Sequence, residues 1–136
     1  MPKKLDKFVT FKLHDQLYAI HLTTASQFFS CEYILSIPKL DDRLAGITYH
    51  NGQLVTVLRM DKLLGLEPIL SQRALLFNYH DEYYAFLVSA GQDTLTAGNI
   101  FRDHSQKIFK TYLKNKSSRI YILNPEEIFS AVKIYD

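Results

Sequence analysis

Short runs of alternating apolar and polar residues, each broken by a polar turn of two or three residues, leave this chain little to form but β-hairpins. Phe8-Val9-Thr10-Phe11-Lys12-Leu13 alternates, His14-Asp15-Gln16 interrupts, and Leu17–Leu22 resumes the pattern. Ile47–His50 and Gln53–Leu58 flank Asn51-Gly52, the dipeptide that best suits a type I′ turn because both of its central residues need φ > 0. Leu75–Tyr79 and Tyr83–Val88 flank His80-Asp81-Glu82 as a third hairpin, and Arg119–Leu123 reads as a late strand.

Two short helices are expected after strands. Arg59–Leu64 ends at Gly65, placed to close the helix in a left-handed conformation. Asn124 can cap a second helix, with Pro125 at its first position, Glu127 at capping-box spacing and an end near Lys133. The order then repeats. At an offset of 66, His14, Asp15, Tyr18 and Ala19 fall on His80, Asp81, Tyr84 and Ala85. At an offset of 65, the strand end and helix at Val57–Leu64 fall on Ile122–Phe129. This predicts an all-β protein, residues 1–136 as one domain, made of subdomains over approximately 8–66 and 73–136 with a boundary at Glu67–Gln72. Each half is too small to be stable alone, so the two are expected to pack as one folding unit.

Catalytic and metal chemistry find no support. The single cysteine, Cys31, excludes an intrachain disulfide and reads as a structural thiol. The histidines His14, His21, His50, His80 and His104 form no H-x-x-x-H or H-E-x-x-H spacing, and His14 and His80 read as turn residues. There is no P-loop, no G-x-S-x-G and no G-x-G-x-x-G; Gly91 and Gly98 read as glycines of turns. The expectation is a protein that is not an enzyme and takes no cofactor. Charged Met1–Lys7 lacks the apolar region of a signal peptide, and no apolar run is long enough to span a bilayer, so a cytoplasmic location is expected.

Net charge is only +2, but Arg102–Arg119 holds six basic residues against one acid, Asp103. Phe109, Tyr112 and Leu113 within it lie at helical spacing. The favoured reading is a helix or extended segment packing its apolar side on the second subdomain, with solvated lysines. The alternatives are a docking site for an acidic protein or a small β-barrel's nucleic-acid surface over 102–119. The low net charge disfavours nucleic acid.

Phe8–Leu13, Tyr18-Ala19-Ile20, Ile37-Pro38, Gly46-Ile47, Asn51-Gly52 and Leu64-Gly65-Leu66 occur in an order and spacing that resemble the CheW-like family of chemotaxis adaptors. The resemblance implies two five-stranded SH3-like β-barrels with a hydrophobic groove between them. It also implies a non-enzymatic scaffold that couples the cytoplasmic tip of a chemoreceptor to the regulatory domain of a CheA-type histidine kinase. Carried over position by position, it points to Gln27, Phe29, Gly46, Ile47, Tyr49, His50, Asn51, Gly52, Leu54, Val57 and Arg59 as partner-binding residues, with Phe28 and Val55 as further groove candidates. Three positions depart from the family in charge: Gln27 replaces a glutamate, Asn51 an arginine and Arg59 an aspartate. Arginine–carboxylate contacts do not survive such changes. The chain therefore reads as a divergent member, a specialised paralogue or an adaptor for pilus-driven motility.

Overall fold

The computed structural model describes residues 6–37, 41–105 and 108–132. Pro38, Lys107 and Lys133, all used in the sequence reading, lie outside them. Eleven strands and two helices follow one another. They are β1 (Asp6–Leu13), β2 (Gln16–His21), β3 (Ala25–Ser30), β4 (Leu44–His50), β5 (Gln53–Leu58), α1 (Met60–Leu64), β6 (Arg73–Tyr79), β7 (Glu82–Leu87), β8 (Ala90–Ala97), β9 (Phe101–Arg102), β10 (Thr111–Asn115), β11 (Ser118–Ile122) and α2 (Pro125–Val132). No helix among the described residues is long and apolar enough to cross a membrane.

The expected hairpins are present, and their turns explain the residues that make them. His14, His80 and Asp81 adopt φ of 56°, 51° and 64°, and Asn51-Gly52 adopts 51° and 77°. Polar residues with short side chains, histidine, and glycine tolerate this region best. Gln16 and Glu82 join the strands, so the first and third loops are two residues long rather than three. Gly65, at φ 66°, closes α1 and donates its N–H to the carbonyls of Asp61 and Lys62. Asn124 caps α2 by accepting the Glu126 N–H at 3.0 Å.

The strands form two sheets, in the orders β8-β1-β2-β11-β10-β9 and β3-β6-β7-β5-β4. Neither order closes on itself. The expected pair of five-stranded closed barrels is therefore corrected to an open six-stranded sheet and an open five-stranded sheet. The sheets also cut across the two sequence halves. Each half lends its opening hairpin to the other half's sheet. Strand β11 pairs in parallel with β2 (Tyr121 with Tyr18, Ile122 with Ala19). Strand β5 pairs in parallel with β7 in the matching register (Thr56 with Tyr84, Val57 with Ala85). Likewise β8 pairs with β1, and β3 with β6.

Alternation along these strands supplies three apolar layers. Phe8, Ala19, Leu113, Ile120 and Ile122 fill one face of the six-stranded sheet. Phe29, Cys31, Val55, Ala74, Leu76 and Ala85 fill one face of the five-stranded sheet. The largest layer lies between the sheets and includes Phe11, Phe77 and Phe86, all fully buried, with Met60 of α1 and Ile128 of α2. Each such side chain contributes about 1.5–3 kcal/mol by burial, so the joint between the sheets is the main source of cohesion.

One further reading changes and another narrows. Gly91 lies inside β8, not in a turn, and a Cβ there would meet the Phe28 ring at 3.0 Å. Tyr112 and Leu113 belong to strand β10, so the segment is the extended rather than the helical form of that reading. Both are buried although they point to opposite faces: Leu113 enters the sheet's own core, while Tyr112 lies under Arg119 and against the Phe101 ring. That double burial imitates helical spacing.

Gly46 carries the tightest backbone approach. Its φ is +144°, at an irregularity where β4 shifts register against β5. A Cβ would lie 2.1 Å from the Leu35 carbonyl oxygen, which accepts the Ile47 N–H at 3.0 Å. Gly46→Ala is expected to lower stability by about 3 kcal/mol or more. A urea unfolding midpoint unchanged by the substitution would show that the 33–37 segment can move away at no cost.

Candidate functional site

The β4–β5 hairpin projects most of the candidate residues. Its register sets Tyr49 opposite Leu54 and His50 opposite Gln53, while Thr48 faces Val55 on the other side. The inward pair is buried: Thr48 donates its hydroxyl to the Tyr33 carbonyl at 2.6 Å, and Val55 is fully enclosed. The outward pair is not. Tyr49 is 72% and Leu54 52% exposed, side by side on the pleat. Leu35 extends this apolar face, because it bridges to Ile47 through two backbone hydrogen bonds of 2.8 and 3.0 Å and is itself exposed. Directly opposite side chains lie about 4.5–5.5 Å apart at Cβ, so Tyr49 and Leu54 act as one contact.

At the hairpin tip the structure brings together residues far apart in sequence. The Gln27 side-chain amide contacts His50 Nε2, and the Asn51 amide lies 3.4 Å from the same nitrogen. The His50 ring packs on Phe29 with centroids 4.3 Å apart. Strands β3 and β4 are the two opposite edges of the five-stranded sheet. These side chains therefore draw together edges that no hydrogen-bond ladder joins. Asn51 and Gly52 are exposed at the tip.

Not every candidate is available to a partner. Val57 and Val55 are fully buried, and Phe29 is 6% exposed within the sheet's own core. Gly46 is buried against Leu35. These four positions are corrected to structural roles. Alternation puts Phe28 on the other face, where Arg73 stacks over its ring at 5.5 Å. There it lines a cleft of about 270 Å³ between the sheets with Val9, Ala25, Gln27, Leu75 and the β8 residue Thr94. The β8 wall was missed in the sequence because Gly91–Thr94 carries no apolar alternation.

Arg59 lies at the far end of β5, about 20 Å from the tip at 3.3 Å per residue. It faces Asp61 at 3.5 Å, over a recess of about 150 Å³ whose apolar lining includes Val57, Ile69, Leu70 and Leu87. Asp61 is 8% exposed and accepts the Lys62 and Ile69 N–H groups at 2.7 and 3.1 Å, so it locks α1 to the following segment. Among the described residues, no three His, Cys, Asp or Glu side chains come together in a way that could hold a metal ion.

The arrangement is a surface of exposed apolar and polar side chains with a cleft between the two sheets beside it. The CheW-like domain family matches residues 7–133, and the chain belongs to that family. Among solved structures, the crystal structure of the scaffolding protein TtCheW from Thermoanaerobacter tengcongensis superposes with a TM-score of 0.82 at 19% identity, over 97% of this chain and 95% of that one. At that identity the likeness shows the fold. No curated protein matches the chain.

Cys31 offers a direct check on the packing behind this surface. It is 5% exposed, and its N–H donates to the Gln72 carbonyl at 2.6 Å. Burial raises its thiol pKa, with a smaller opposing contribution from Thr48. At pH 8 the native thiol is expected to react with a disulfide reagent at least tenfold more slowly than in the denatured chain, because the thiolate is the nucleophile. Equal rates would mean that the sheet edges open freely around it.

Proposed function

We propose that this chain is a non-enzymatic scaffold of chemotaxis-type or pilus-motility signalling, working in the cytoplasm. It would join the regulatory domain of a CheA-type histidine kinase to the cytoplasmic tip of a chemoreceptor. The carrying observation is the exposed Tyr49–Leu54 pair on the β4–β5 hairpin, beside the Gln27–His50–Asn51 cluster. A large exposed apolar pair held on a hairpin is costly to leave in water and gains by docking. Membership in the CheW-like family supplies the class of partner.

The neutral tip sets this chain's selectivity. Gln27, His50 and Asn51 hold one another through side-chain contacts, and none of them is an arginine or a carboxylate, so a partner relying on an arginine–carboxylate pair at the tip would be disfavoured. The cleft bordered by Gln27 and Phe28 is the place assigned to the receptor tip, and the Tyr49–Leu54 face the place assigned to the kinase. Signal would pass as a small change in the geometry of the bound partners.

Calorimetric titration with the regulatory module of a CheA-type kinase from the same source should give micromolar affinity. Leu54→Asp should weaken it at least tenfold without changing the melting temperature, since Leu54 supports no core layer. Absence of binding by a correctly folded chain would overturn the kinase assignment. Asn51→Arg, which restores charge at the tip, is expected to strengthen binding to the kinase module or to a receptor tip peptide. Unchanged or weaker affinity for both would remove Asn51 from the contact surface.

A further inference from the structure

The β10–β11 hairpin is the structural counterpart of β4–β5 in the other sheet. Leu113 pairs with Ile120 where Thr48 pairs with Val55, and both inward pairs are buried. Lys116 takes the first turn position with φ 57°, as Asn51 does with 51°. The place held by the apolar Tyr49–Leu54 pair is held here by Lys114 opposite Arg119. Two matching hairpins therefore present opposite chemistries, one apolar and one cationic.

The cations are held in place. Lys114 Nζ stands 4.5 Å from the centre of the Phe101 ring, and the Arg119 guanidinium 4.2 Å from that of Tyr112. Arg119 also donates to Asp103 at 2.9 Å. Asp103 is already engaged, accepting the Ser105 hydroxyl and N–H at 2.5 and 2.9 Å. Among the described residues no carboxylate forms an ion pair with Arg102, Lys110, Lys114 or Lys116. Asp103 offsets the charge of Arg119 only, so Lys114 faces a like charge across the pair with no carboxylate of its own, an arrangement that an added anionic group would favour.

The rings decide between kinds of anion. Nucleic acid bound without base pairing needs free aromatic faces on which bases stack. Here Tyr112 is only 7% exposed, lies under Arg119 and stacks on Phe101 at 5.6 Å, while Lys114 covers Phe101. What remains on offer is N–H donors, which pair with carboxylates, and no open ring face on which bases could stack to favour a nucleic acid over them. We propose that the end of the β10–β11 hairpin is a second docking surface, separate from the apolar hairpin, which takes an acidic polypeptide segment, Lys114 and Arg119 binding its carboxylates and Lys116 flanking them. This does not depend on which partner occupies the β4–β5 face.

The test is fluorescence-anisotropy titration of the full chain with a labelled oligoglutamate peptide and, in parallel, a labelled oligothymidylate of equal length, at low salt. Oligoglutamate is expected to bind, and more tightly than oligothymidylate. The double variant Lys114→Glu/Lys116→Glu should lose at least tenfold in affinity, and Lys114→Gln/Lys116→Gln a smaller but clear amount. Lys7→Glu/Lys62→Glu, with the same change of charge elsewhere, should stay within twofold of the parent. No oligoglutamate binding, equal loss in the Lys7/Lys62 control, or tighter binding of oligothymidylate would each overturn the proposal.

Discussion

The structure depends on an exchange of hairpins between two similar halves. Strand β2 completes the sheet of β11, and β7 completes the sheet of β5, in parallel pairings of equivalent register. Neither half can satisfy its own backbone or bury its own apolar strand faces without the other. A parallel neighbour cannot follow across a tight turn, so it has to be brought from elsewhere in the chain. The repeat seen in the sequence is therefore not a string of two independent units. It is two copies of one strand order, each supplying what the other lacks.

This exchange explains why the inter-sheet layer is the largest of the three. The hairpins that cross over carry Phe11, Tyr18, Phe77, Tyr84 and Phe86 into the joint, and α1 and α2 close it with Met60 and Ile128. It also leaves the ends of the β4–β5 and β10–β11 hairpins free to project: β4–β5 is laddered to one neighbour, β7, and β10–β11 lies between β2 and the two-residue strand β9, which stops short of the turn. Crossing strands are bound by packing, whereas the outward pairs of the two projecting hairpins belong to none of the three apolar layers. The apolar pair on one and the cationic pair on the other are variations on a single geometry.

Much of this architecture was legible in the chain. The hairpins around His14-Asp15, Asn51-Gly52 and His80-Asp81 were readable from alternation and turn chemistry. Both helices were readable from Gly65, Asn124 and Pro125, and the repeat from its offsets. Strands β3, β8, β9 and β10 were harder. Gly91–Thr94 lacks alternation because most of β8 is exposed, and Tyr112 and Leu113 are buried on opposite faces, Leu113 in the sheet's core and Tyr112 beneath Arg119. The candidate surface was half legible. Tyr49, Leu54, His50, Asn51 and Gln27 do come to the surface, but nothing local distinguishes them from Phe29, Val55 or Val57, whose burial depends on which side of the sheet the rest of the chain covers.

Local rules account for that division. Turn φ values, capping and period-two alternation are properties of a few neighbouring residues, so the amino-acid sequence by itself determined the hairpins, the helix ends, the twofold repeat and the family. Sheet membership, the open edges drawn together by His50 with Gln27 and Phe29, and the pairing of Lys114 with Arg119 against the stacked rings were decided only by tertiary structure. They join residues tens of positions apart, and which distant strand completes a sheet depends on the apolar area that the whole chain can bury at once.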